Sequence, residues 1–109
     1  MTVAEFAEKY SMEVLSLPDP SREIKGGYMG DLLSWVMGRA KADQAWITIM
    51  SNQNIIAVAS LIDVACIILA EDVRLDESII ENAKAKGVNV LTTKNPAFEV
   101  ACEICHEIK

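Results

Sequence analysis

From residue 45 onward the apolar and polar positions change period in a regular order. Residues 45–50 (Ala45, Trp46, Ile47, Thr48, Ile49, Met50) are a short β-branched, aromatic and apolar run, the composition of a strand. Residues 54–64 leave only Ser60 and Asp63 polar after Asn54, which reads as a helix buried on nearly all sides. The polar joint between them, Ser51 to Asn54, holds two asparagines suited to cap that helix. Residues 66–70 are continuously apolar, as in a strand covered on both faces. A helix follows, with Asp76 as cap, Glu77 at the positive end of the dipole, and Leu75 and Ile80 as a hydrophobic staple. It ends at Gly87, with Lys84 and Lys86 near its negative end. Residues 88–93 form the next strand. Asn95 and Pro96 open a last helix whose apolar stripe is Phe98, Ala101, Cys102, Cys105 and Ile108.

Upstream, residues 2–9 predict a short helix with Thr2 as cap and Val3, Phe6 and Ala7 on one face. Residues 12–17 predict a short strand and residues 18–21 a turn. Residues 22–29 read as a strand interrupted by Gly26 and Gly27, and Asp31 caps a helix running to about Ala42. Strands alternating with helices imply right-handed βαβ units, hence an α/β domain with a mainly parallel sheet flanked by helices in three layers. No linker, repeat or low-complexity tract divides residues 1–109, so one domain is expected. In so small a domain the over-apolar helix 54–64 predicts one side against the sheet and another against a second copy, a homodimer.

Charge and composition narrow the partners. The net charge is −6 and no two basic residues are adjacent, which argues against nucleic acid. The longest apolar run, residues 64–70, is far short of the roughly 20 residues a membrane span needs. Residues 2–10 carry Glu5 and Glu8 and do not resemble an export signal. Three cysteines do not make a disulfide framework, so a reduced, cytoplasmic setting is expected.

Three stretches carry a family resemblance. They are Ile47 and Thr48 leading through Ser51 and Asn52 into residues 54–59, then residues 67–72, then residues 87–93. In order and spacing they resemble the DRTGG domain, named for an Asp-Arg pair before a buried helix and a Thr-Gly-Gly joint after the following strand. The resemblance extends over about residues 12–108. It is similar in layout to regulatory segments of bacterial phosphotransacetylases and CBS-domain pyrophosphatases, and more distantly to the N-terminal domain of HPr kinase. Residues 27–34 resemble stand-alone copies from anaerobic bacteria, some encoded near iron hydrogenases. The resemblance implies an HPr kinase N-terminal-like α/β fold, a homodimer and a regulatory role rather than catalysis. The naming motifs are replaced. The Asp-Arg pair falls on Ser51 and Asn52, and Thr-Gly-Gly falls on Ala70, Glu71 and Asp72, where two carboxylates would repel an anion that glycine N–H groups would approach.

Ligands of parallel α/β sheets sit beyond the carboxyl ends of the strands. That edge carries Gly30, Asp31 and Ser34; Thr48, Ser51, Asn52 and Asn54; Glu71 and Asp72; and Thr92 and Thr93. Its hydroxyls and amides suit a small polar or nucleotide-type ligand, although helix caps and turns account for many of the same residues. The alternative is a protein-interaction subunit without a ligand. The Gly26, Gly27, Gly30 cluster lacks the Lys-Ser/Thr of a phosphate loop and reads as a twisted strand and turn. Cys102, Cys105 and His106 match the C-x-x-C-H haem-attachment spacing, yet the cysteines fall in an apolar stripe and a zinc site lacks a second ligand pair. No cofactor or metal is therefore expected. His106 reads as a solvated helix residue with no nucleophile arranged around it, and no enzyme motif is present. Trp35 and Trp46 read as core, with an interface anchor as the alternative for Trp35. Met29, Met37 and Met50 read as gap-fillers.

Overall fold

The computed structural model describes residues 1–108. Its five strands are β1 (Glu13–Ser16), β2 (Gly26–Met29), β3 (Gln44–Thr48), β4 (Cys66–Leu69) and β5 (Val90–Thr92). They lie in the order β1-β5-β4-β3-β2, with β2 to β5 mutually parallel and β1 antiparallel to β5. The helices are α1 (Val3–Lys9), α2 (Leu33–Arg39), α3 (Asn54–Ile62), α4 (Glu77–Ala85) and α5 (Ala97–Glu107).

The parallel strands are laid down in one direction across the sheet. Right-handed crossovers then place α2, α3 and α4 on the same face. One core accordingly joins Val36, Ile55, Ile56, Val58 and Ile79 to Trp46, Ile67, Leu69 and Val90. On the opposite face α1 and α5 bring Val3, Phe6, Val100 and Ile104 against Ala45, Ile47, Cys66, Ile68 and Leu91. The alternation along β3 and β4 sends neighbouring residues to opposite cores, which is why residues 66–69 are apolar throughout and wholly buried. This is the three-layer α/β arrangement expected from the sequence pattern.

Helix α3 lies between α2 and α4 and packs against both. Ile55, Ile56, Val58 and Ala59 are buried, while Leu61 is 71% exposed. Most of its apolar perimeter is thus used within the chain, leaving Ala57, Ser60 and Leu61 facing outward. Thr2 caps α1 in a full capping box with Glu5. The cap position of α3 is neither asparagine but Gln53, without a side-chain cap bond, while Asn52 Oδ1 accepts from the Asn54 N–H at 2.9 Å. Gly87, at φ +73°, follows the end of α4.

Several expectations are corrected. Asp31 does not cap α2; the cap position is Leu32, without a side-chain bond, and the helix stops at Arg39 rather than Ala42. Asp76 holds its cap position but makes no side-chain hydrogen bond there. The strand expected over residues 22–29 is confined to β2, because Arg22 turns aside to bind Asp43 and Asp63, and Glu23 bridges to Thr2. The stripe of α5 is rotated: Val100 and Ile104 are buried, whereas Phe98 is 73% exposed and Cys102 and Cys105 face solvent. Residues 97, 100, 101 and 104 form an equally regular stripe, and Gly27 selects it. A Cβ at Gly27 would lie 3.1 Å from Ile104 Cγ2, so the bare backbone is what lets α5 close on β2. Trp46 is fully buried, but Trp35 is 53% exposed with the Arg39 guanidinium 3.9 Å above its ring, so it is not core. Met29 and Met37 are likewise exposed and fill no gap.

Candidate functional site

The carboxyl edge of the sheet divides into two ends. At the β2–β3 end, Asp31 Oδ1 accepts from Thr48 Oγ1 at 2.6 Å and from the Ile49 N–H at 3.0 Å. Thr48 Oγ1 in turn accepts from the Met50 N–H at 3.2 Å, and the Gly30 carbonyl accepts from Trp46 Nε1 at 3.0 Å. Asp31 therefore ties the end of β3 to the loop after β2, and Thr48 is buried beneath it. Ser34 and Ser51 stand exposed beside this knot.

At the centre, Glu71 and Asp72 follow β4 with φ of 61° and 60°. Two successive left-handed residues are strained for any side chain and suit glycine, which explains the Gly-Gly expected at this joint by resemblance. The Glu71 N–H donates to the Asn95 carbonyl at 2.9 Å and the Asp72 N–H to the Thr93 carbonyl at 2.8 Å, so the joint is stitched to the β5–α5 connection.

At the β5–β1 end lies a cleft of about 310 Å³. Tyr10 and Ser11 after α1, Glu13 of β1, Asp72 and Arg74 after β4, and residues 92–95 line it. Arg74 grips both Glu13 carboxylate oxygens, at 2.8 and 2.6 Å, and stands 3.6 Å from Asp72. This holds the Glu13 carboxyl below its ordinary range, with Lys94 adding to the effect. Lys94 itself forms no ion pair among the described residues. Thr92 is buried and donates its hydroxyl to the Val73 carbonyl at 2.7 Å, and Thr93 Oγ1 accepts from the Asn95 N–H at 3.2 Å. Tyr10 is fixed by its hydrogen bond to Glu107, which pushes its phenol up to about 12.

The eleven residues expected at the edge are therefore not brought together: Glu71 and Asp72 stand at its centre. Gly30, Asp31, Ser34, Thr48, Ser51, Asn52 and Asn54 belong to the β2–β3 end. Thr92 and Thr93 border the cleft. Two strand spacings, about 10 Å, separate Thr48 from Thr92. The sequence pattern missed Tyr10, Ser11 and Glu13, because only the antiparallel pairing of β1 with β5 carries residues 10–13 to this edge; it also passed over Arg74, Lys94 and Asn95, which follow β4 and β5 there. No cluster of three or more metal-binding side chains occurs among the described residues, and Cys102, Cys105 and His106 all face solvent on α5. No helix among those residues is long and apolar enough to cross a membrane.

The family model of the DRTGG domain matches residues 31–106. No curated protein matches the chain by sequence. Among solved structures, the fold is similar to the CBS and DRTGG domains of the regulatory region of Clostridium perfringens pyrophosphatase, crystallised with its activator diadenosine tetraphosphate. The TM-score is 0.74 at 16% identity, over 94% of this chain and 45% of that one. The chain belongs to the DRTGG domain family.

Proposed function

We propose that this DRTGG domain is a non-catalytic, cytoplasmic regulatory module that works as a homodimer and responds to a small polar ligand of nucleotide type. The observation that carries the ligand is the β5–β1 cleft, which is lined by a Lys94 ammonium in no ion pair among the described residues. The similar pyrophosphatase region takes a nucleotide activator, which supports the ligand class; this chain spans less than half of that region, so the position of the site rests on the cleft alone. For the dimer, the surface offered by helix 54–64 is Ala57, Ser60 and Leu61. At the β2–β3 end Ser34, Ser51, Asn52 and Asn54 are exposed, while Asp31 and Thr48 hold each other.

Thermal unfolding against adenine nucleotides, dinucleotides, phosphorylated metabolites and simple anions tests this. A ligand at a hundred times its dissociation constant stabilises by about 2.7 kcal/mol, a shift of several degrees in a domain of this size. Absence of any shift across that panel would overturn the ligand reading. It would favour a second one, a partner-binding module, for which the exposed Met29, Leu32, Trp35 and Met37 speak.

A further inference from the structure

Topology singles out the β5–β1 cleft. From β2 to β5 every connection lies on one face, so no crevice opens between those strands. Within this parallel run the connections change face only after β5: α4 precedes it on one side and α5 follows on the other. Crevices at the carboxyl ends of parallel strands open where successive connections part in this way, and the cleft lies at that point.

Its lining mixes donors and acceptors. Among the described residues the Lys94 ammonium is in no ion pair, and the Ser11 hydroxyl and Asn95 amide make no side-chain hydrogen bond. Thr93 uses its oxygen to accept from Asn95, leaving its O–H free to donate. Such donors suit a tetrahedral anion that only accepts. The same cleft presents the carboxylates of Glu13 and Asp72, both anchored by Arg74, whose guanidinium is thereby engaged. These accept hydroxyl donors and repel a second phosphate. The volume, about 310 Å³, falls at the lower end of the range of about 300–1,000 Å³ for small-molecule sites.

We propose that this cleft binds a sugar monophosphate no larger than a mononucleotide, with its phosphate at Lys94 and its hydroxyls toward Glu13 and Asp72. The inference rests on the ligand-responsive reading above and narrows it. A polyphosphate bridge would meet the Glu13 and Asp72 carboxylates, so this ligand differs in kind from the tetraphosphate of the pyrophosphatase region.

Amide NMR titration of the 109-residue chain with ribose 5-phosphate, AMP, ATP, ribose and inorganic phosphate tests it. Ribose 5-phosphate or AMP is expected to move the amides of Ser11, Lys94 and Asn95 saturably. Ribose and inorganic phosphate should each bind at least about tenfold more weakly, and Lys94→Gln should lose about tenfold or more in affinity. Lys41→Gln, at an exposed lysine outside the cleft, should leave affinity unchanged. Equal binding of ribose, tighter binding of ATP than AMP, inorganic phosphate matching the sugar phosphate, or indifference to Lys94→Gln would each overturn the proposal. If a compound without phosphate shifts the thermal transition while the sugar phosphates do nothing, this inference falls and the regulatory ligand reading stands. If nothing shifts it, both fall.

Discussion

The two ends of the carboxyl edge use similar residue types to opposite effect. At the β2–β3 end a carboxylate, a hydroxyl and a backbone N–H close on one another, so Asp31 and Thr48 spend their hydrogen-bonding capacity inside the protein. At the β5–β1 end Glu13 and Arg74 close on one another as well, but Lys94 is in no ion pair among the described residues and the cleft it lines stays open. A polar cluster is a binding surface only where its donors and acceptors do not cancel. That condition separates the two ends better than residue type does.

The largest expected effect lies at the closed end. Asp31→Ala removes the acceptor for the buried Thr48 hydroxyl and the Ile49 N–H and should cost about 1–3 kcal/mol in chemical denaturation. Lys94→Ala at the open end should change stability by less than about 0.5 kcal/mol. If the two variants were equally stable, the distinction between a structural and an open end would collapse.

Between the ends, Glu71→Gly and Asp72→Gly test whether the joint stores strain. Both positions have left-handed backbone, so each glycine should raise stability by about 1 kcal/mol, read from the denaturation midpoint. A loss in both would mean that the side chains contribute more than the strain they impose.

The smallest effect belongs to the exposed pair at the cleft. Arg74 holds the Glu13 carboxyl below its usual range, so the pair stabilises fully above that range and its contribution fades as pH falls through the lowered value. Arg74→Ala should thus lower the melting temperature slightly at neutral pH, and the curves of variant and parent should converge in acid. A difference that persists in acid would assign Arg74 a role other than this pairing.

Much of the fold is legible in the residue pattern because strand and helix periods are local properties. Ala45, Trp46 and Ile47 alternate between two cores, residues 66–69 are apolar on both faces, and Thr2 and Glu5 signal a capping box. The last helix shows where pattern fails. Two overlapping apolar stripes occur on it, and the contact of Ile104 with Gly27 across the sheet decides between them. Asp31 shows the same limit, since a residue suited to cap a helix was instead claimed by a hydroxyl and an N–H on the neighbouring strand.

The sequence by itself determined the alternation of strands and helices, the parallel core from residue 45 onward and the likeness to the DRTGG family, because each is written in consecutive residues. The tertiary structure alone decided which polar groups remain available. β1 returns antiparallel to β5 across a separation of some seventy-five residues and brings Tyr10, Ser11 and Glu13 opposite Arg74 and Lys94. A ligand site is the remainder after internal hydrogen bonds and ion pairs are made, and that remainder exists only once distant segments have met.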